Sequence, residues 1–246
     1  MIVLTNDFFV SDSTFLDIKP AYDIIKSHEA VLMLDVSDSL FFNGEKGYSQ
    51  VTKLEDKDNI FIVGSGSKAL GVNLGFLVAP TAGQSFYNKF YSPSLTFTNA
   101  IPPNTCATAI YNLTNLVLGN EGAARRKRLI QNAVNLRNQL KDAGFKVVGD
   151  ASGIVLVEVG SHLLARVVTN LITEHGVCIG YLEYPEVPAG EARLRFNVQA
   201  HHTNKDINIL VSALKAVVPK AEKYLKANAG EHVALAEKTV RNYSKL

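Results

Sequence analysis

Long hydrophobic runs are missing from this sequence. No window of its 246 residues is long and apolar enough to span a bilayer, and the first residues, Met-Ile-Val-Leu-Thr-Asn-Asp, lack the charged and apolar regions of a signal peptide. A cytoplasmic location is the expectation. Cysteine is scarce: Cys106 and Cys178 stand in apolar surroundings without metal-ligand spacing, which argues against a disulfide framework and predicts two buried thiols in a reducing compartment. Charge of one sign is also scarce. Lys and Arg number 25 against 23 Asp and Glu, a net charge of +2, and the longest like-charge block is Arg125-Arg126-Lys127-Arg128. That block lies in a helical pattern and reads as a solvated face, so a nucleic-acid partner is not expected. There are no repeats or low-complexity tracts, no Ser/His/Asp order, no His-Glu zinc helix and no CxxC spacing, so no metal is expected.

What remains is an ordinary globular composition, 47% hydrophobic and 20% charged, long enough for one large core or two smaller ones. The chain is organised around Gly64-Ser65-Gly66-Ser67-Lys68-Ala69-Leu70-Gly71, set between the apolar runs 60–63 and 74–79. The alternation reads as strand, tight small-residue loop, strand. Glycine spacing and the order around the lysine exclude a phosphate-binding P-loop. Two readings of Lys68 stay open: a solvated turn lysine, or an amine held against a ligand, partly desolvated and nucleophilic.

Around that loop, strands and helices alternate. A short apolar run covers 2–4. Pro20 opens a helix to about His28 whose Ala21, Ile24 and Ile25 share a face, and 31–34 is a buried strand ending at Asp35. Continuous apolar strands predict a sheet covered on both faces, with ligands at the carboxyl ends of the strands. If the strands before Asp35 and Lys68 are parallel neighbours, both side chains converge on one ligand. Pro102-Pro103 begins a helical pattern to about Leu118, and 121–140 reads as a connecting helix containing the domain boundary. A smaller α/β unit follows: strands at 145–148, 154–159, 177–181 and 192–198, a helix over 162–175, and a helix over 204–218 capped by Thr203. Alternation in 192–198 places Arg193 and Arg195 on one strand face, suited either to a carboxylate or to solvent. Asp35 is equally a turn residue or a catalytic group.

Taken together and in order, Asp35-Val-Ser-Asp-Ser, the Lys68 loop, Phe97-Thr-Asn-Ala-Ile-Pro-Pro103, the segment from Tyr184 to Arg195 with its Val-Pro-Ala-Gly-Glu-Ala-Arg-Leu-Arg, and His202-Thr203 resemble the α-oxoamine synthases, fold-type-I pyridoxal 5'-phosphate (PLP) enzymes. The resemblance runs from about Ile2 to Val218. It implies an α/β chain corresponding to the C-terminal part of a fold-type-I PLP-dependent transferase, aspartate-aminotransferase-like, with a mainly parallel sheet and a smaller C-terminal α/β domain. Residues 1–120 would be the remainder of the large PLP-binding domain, 121–218 the small domain with its connecting helix, and 219–246 a charged helical tail.

The implied cofactor is PLP. Lys68 is similar to the Schiff-base lysine, Asp35 to the carboxylate that pairs with the pyridinium nitrogen, and Ser65 to the hydroxyl on the cofactor phosphate. Thr98 matches a position that reaches the neighbouring subunit's site, which implies a homodimer. Arg195 matches the arginine that binds the amino-acid carboxylate. Asp38 stands where the family commonly has a histidine that donates to the cofactor's phenolic oxygen, and Phe41 where a glycine is common. The implied reaction condenses an amino acid with an acyl-CoA, as a PLP-dependent acyltransferase. The family pattern preceding this stretch is expected from a separate N-terminal half, unless the chain is a fragment or has been repurposed. The alternatives are a catalytically silent remnant or regulatory subunit, and an aminotransferase on the same fold.

Overall fold

Strand β4 (Val31–Asp35) lies at the centre of the first unit, and its residues alternate between half-buried and buried. The structure, a computed structural model, describes residues 1–41, 54 and 57–228. Leu32 and Leu34 are fully buried against helix α1 (Ile18–Ser27), which offers Ile18, Tyr22 and Ile25. Each such side chain contributes about 1.5–3 kcal/mol by leaving water. The helix begins two residues before Pro20. Proline is harmless there, because first-turn amides have no intrahelical acceptor to lose. Ile24, expected on the buried face, points outward and is 62% exposed.

The sheet has the order β1-β4-β5-β6, with β1 (Ile2–Asn6), β4 and β5 (Ile60–Ser65) parallel and β6 (Gly75–Val78) antiparallel to β5. It is mainly parallel, as expected, but not covered on both faces among the described residues. Ile2, Leu4 and Val78 are exposed while Leu32 and Leu34 are buried, because α1 packs on one side only. A small antiparallel hairpin, β2 (Phe8–Phe9) with β3 (Thr14–Phe15), follows β1. Neither it nor helix α3 (Ala82–Tyr91) was evident from hydrophobic period. A Thr81–Gln84 capping box starts α3, and its Phe86/Phe90 and Tyr87/Tyr91 pairs lie on an exposed surface.

Between β5 and β6 the chain makes a helical turn, α2 (Gly66–Ala69), where a tight loop was expected. Further on come α4 (Pro93–Thr96), α5 (Pro103–Tyr111), which continues as a π-helical turn over Asn112–Val117, and the long helix α6 (Asn120–Asp142). Contacts divide the chain into two units inside α6, between Gln131 and Asn132, with residues 149–153 and 199–201 returning to the first.

The second unit is a four-stranded antiparallel sheet, β7 (Lys146–Val148), β8 (Ile154–Gly160), β10 (Ala192–Asn197) and β9 (Gly180–Leu182) in spatial order. Helix α7 (His162–Leu171), extended by a 3-10 turn over Ile172–His175, and helix α8 (Asn204–Ala227) pack together. Thr203 caps α8 with Asp206 in a reciprocal box. The helix runs through Pro219, beyond the expected end at Val218. Leu214, Val217 and Ala221 keep a buried stripe at helical spacing, and Pro219 itself faces outward. The remainder of the tail, 229–246, lies outside the described residues.

Three further expectations are corrected. Cys178 is exposed, in the irregular stretch before β9, and Cys106 is half-buried on α5, a helix with no buried residue. Both are free thiols. Arg126 is not part of a solvated face. It is 8% exposed and donates to the Val117 carbonyl (2.8 Å), closing the π-helical turn onto α6.

Candidate functional site

Parallel pairing puts the carboxyl ends of β4 and β5 side by side, with Asp35 in register with Val63. The chain leaves β4 through a tight turn. Asp35 Oδ1 accepts from the Ser37 amide (2.8 Å), and the amides of Ser39 and Leu40 donate to the Val36 carbonyl at 3.1 and 2.9 Å. Buried Ser39 donates to Asp7 Oδ2 (2.5 Å), which ties this turn to the end of β1. Asp38 is carried on that turn. Leaving β5, Ser65 caps α2 by accepting from the Ser67 amide (3.2 Å), and its hydroxyl lies 2.9 Å from that of Ser67. Lys68, on α2, extends its amine to Asp38 Oδ1 and forms an ion pair. Its side chain is 60% exposed, so the small residues around it leave it solvated, contrary to the desolvated reading.

The pair lies at a cleft of about 420 Å³, whose wall includes Leu40, Phe41, Leu70, Leu116 and Val117 as well as Asn112, Arg125 and Arg126. The frame is hydrogen-bonded. Asn112 Nδ2 donates to the Leu70 carbonyl (2.8 Å), Arg126 to Val117, and Arg125 pairs with Glu121. Gly122 permits the approach of α6, since a Cβ there would lie 2.1 Å from the Leu116 carbonyl oxygen. Asn112 and Arg126 escape sequence reasoning as framing residues, because their partners are backbone carbonyls elsewhere in the chain. Phe41 has a left-handed backbone (φ 65°) and packs against Leu70, Val72 and Val117.

The structure thus brings Lys68 and Asp38 into contact and sets Asp35 and Ser65 at adjacent strand ends. Thr98 is exposed just after α4. Arg195 belongs to the second unit, half-buried on β10, with its Nε donating to Asn197 Oδ1 (3.1 Å) and Gly180 opposite it on β9. Its neighbour Arg193 is buried and pairs with Glu191 (3.3 Å). Among the described residues no cluster of His, Cys, Asp or Glu could hold a metal, and no helix is long and apolar enough to cross a membrane.

Comparison with known proteins gives this arrangement a context. Residues 11–214 match the family model "Aminotransferase class I and II". Among curated relatives, 8-amino-7-oxononanoate synthase of Geobacter sulfurreducens is 30% identical over 88% of this chain and 55% of its own length. The 2-amino-3-ketobutyrate coenzyme A ligase of Escherichia coli K12 is 28% identical over 88% of this chain and 54% of its own. The chain therefore spans about half the length of the curated relatives it matches. Among solved structures, Sphingomonas wittichii serine palmitoyltransferase superposes with a TM-score of 0.81 at 21% identity, covering 90% of this chain and 55% of that one. The 8-amino-7-oxononanoate synthase of Francisella tularensis gives 0.73 at 22%, covering 91% and 63%. These superpositions establish the fold-type-I architecture.

Enzymes of this family and these relatives are PLP-dependent. The residues present fit such a group chemically: an amine at a cleft for an aldehyde, a carboxylate at the adjoining strand end for a protonated ring nitrogen, and hydroxyls at Ser65 and Ser67 for a phosphate. Family model, relatives and fold agree, and the chain belongs to the aminotransferase class I and II family, in its α-oxoamine synthase branch.

Proposed function

We propose that this chain forms part of a PLP-dependent acyltransferase that condenses an amino acid with an acyl-CoA thioester. The observation that carries the reading is the placement of Lys68 at the carboxyl end of β5, beside the Asp35 end of its parallel neighbour β4. In this reading residues 1–120 belong to the large cofactor-binding domain, 121–218 form the small domain, and sequence equivalent to the relatives' remaining length completes the site. An exposed aromatic surface on α3, shortly before Thr98, supports a protein partner there, which we assign to a second copy.

When bound, PLP supplies an aldehyde for an amine and a protonated ring that draws an electron pair from the substrate α-carbon. Asp35 holds the ring nitrogen in its protonated form, and Ser65 offers its hydroxyl to the phosphate. Lys68 Nζ supplies the amine and is the base that takes and returns a proton at the α-carbon. Asp38 holds that amine by ion pairing until it bonds to a carbonyl. Arg195 receives the amino-acid carboxylate through two parallel N–H donors.

A second reading, a catalytically silent or regulatory subunit, is favoured by one observation: the amine of Lys68 is already engaged by Asp38. The test is thiol release from acyl-CoA by the PLP-treated protein. Release that requires both an amino acid and Lys68 supports the synthase. Amino transfer to a keto acid without thiol release marks an aminotransferase, and neither reaction in a protein that binds PLP marks the silent subunit.

A further inference from the structure

The carboxyl ends of three neighbouring parallel strands are tied in a row. Asp7 directly follows β1, Asp38 and Ser39 lie on the turn after β4, and Lys68 lies on the helical turn after β5. Two side-chain contacts join them. Ser39 Oγ donates to Asp7 Oδ2 (2.5 Å), and the Lys68 amine donates to Asp38 Oδ1. The two contacts differ in burial: Asp7 and Ser39 are fully buried, whereas the Lys68 side chain is 60% exposed. A buried carboxylate is costly unless it is hydrogen-bonded, and a hydroxyl donating to it forms a short, strong bond. The buried bond therefore fixes Ser39, and Ser39 is the residue next to Asp38. Asp7 grips the exit of β4 a second time, since its amide donates to the Asp35 carbonyl (3.1 Å). Asp7 is not among the residues lining the Lys68 cleft, so any influence it has on the amine passes through the turn.

We propose that Asp7 is a positioning residue: by holding Ser39 it sets the turn from which Asp38 reaches Lys68, and so governs how firmly the amine is restrained before it meets a carbonyl. Its bearing on catalysis rests on the proposed role of Lys68, whereas the tie is a property of the chain alone. An accessible ion pair is weak partly because two side chains must be held in one geometry. A carboxylate carried on a turn that is pinned from below gives up less freedom in forming the pair. If the Asp7–Ser39 bond served the core alone, its loss would lower stability and leave the chemistry of Lys68 unchanged.

The test needs no cofactor. The protein is treated with formaldehyde and cyanoborohydride. Each lysine amine displaces the aldehyde oxygen as water, hydride reduces the resulting C=N bond, and mass spectrometry reads methylation at each lysine. The readout is the initial rate at Lys68 divided by that at Lys19, an exposed lysine on α1. It is measured with and without Asp38→Asn in three backgrounds, the parent, Ser39→Ala and Asp7→Asn, a cycle that isolates coupling between the tie and the ion pair. In the parent, Asp38→Asn should raise the ratio about two- to fivefold, the range an accessible pair supports. Ser39→Ala should raise the ratio by itself, and Asp38→Asn should then add less than about a factor of two. Asp7→Asn keeps the side-chain shape and an oxygen acceptor, so its effect should fall between. It also covers the case in which Ser39→Ala unfolds, with circular dichroism verifying the fold. The same factor for Asp38→Asn in every folded background, or no effect of Asp38→Asn in the parent, would overturn the inference. Neither outcome touches the PLP reading, which falls separately if PLP forms no reducible adduct with Lys68.

Discussion

Lys68 and Asp38 are joined as an ion pair that links the turn after β4 to the helical turn after β5, with side chains 60% and 21% exposed. Pairs this accessible to water stabilise a protein by about 0–1 kcal/mol. Asp38→Asn should therefore leave the denaturant midpoint within about 1 kcal/mol of the parent. Because the amine must leave Asp38 before it can bond to a carbonyl, the variant should react with PLP faster, by about fivefold at most, the equivalent of that energy. Initial rates of borohydride-trapped label on Lys68 measure this. A slower rate in a folded variant would show that Asp38 assists the reaction and does not restrain it.

Phe41 yields a prediction that reverses the usual ranking of alanine over glycine. Both Phe41→Gly and Phe41→Ala lose the ring contacts with Leu70, Val72 and Val117, but only glycine accepts φ 65° without strain. Phe41→Gly should be the more stable of the two by about 1 kcal/mol in urea unfolding. Greater stability of the alanine variant would mean that the left-handed conformation is not retained.

The parts of the site readable in the sequence were those encoded within a few consecutive residues. Gly64 to Gly71 announce a lysine after a strand, and Asp35 ends an apolar run, so their convergence follows once the two strands are parallel neighbours, as they are. The contact between Lys68 and Asp38 was not legible, since it depends on the conformation of two separate turns. Arg126 illustrates the same limit. In a row of four basic residues nothing distinguishes the one that folds back onto Val117. The antiparallel direction of β6 is set by the short connection through α2, and hydrophobic period carries no information on strand direction. Cys178 is exposed against expectation because apolar sequence neighbours do not bury a residue in an irregular segment. Helix α3 escaped notice because its aromatics lie on a surface, where no apolar stripe faces a core.

Gly122 sets the fit of α6 to the π-helical turn. A Cβ there would lie 2.1 Å from the Leu116 oxygen and 2.3 Å from that of Val117, backbone atoms that cannot rotate away. Gly122→Ala should lower stability by more than about 1 kcal/mol and alter the cleft, read as changed reactivity of Lys68. Gly83→Ala, in α3 with open space around its Cβ, is the control and should be neutral or mildly stabilising. Equal effects at the two sites would contradict the close approach.

The second unit carries a pH-dependent tie. Arg166 donates to Glu183 through Nε (2.9 Å) and Nη2, and this hydrogen bonding, aided by the charges of Arg166 and His162, holds the Glu183 carboxyl below its ordinary value of 4.5. A depressed value means that the tie stabilises the fold above pH 4.5 and is lost as pH falls through the depressed value. Since both side chains are partly exposed, the contribution is about 1 kcal/mol or less. Glu183→Gln should lower stability at neutral pH and flatten the acid side of the stability profile. A constant difference between variant and parent down to strongly acidic pH would refute the assignment.

The central claim, that Lys68 is the residue that meets PLP, is tested most directly by the visible spectrum of the purified protein with PLP, before and after borohydride reduction. The expected result is a visible band that reduction abolishes, leaving the pyridoxyl group on the peptide containing Lys68. Lys68→Ala should lack the band and retain the far-ultraviolet circular dichroism of the parent. The same visible band in parent and Lys68→Ala, or a reduced pyridoxyl group spread over surface lysines, would contradict it.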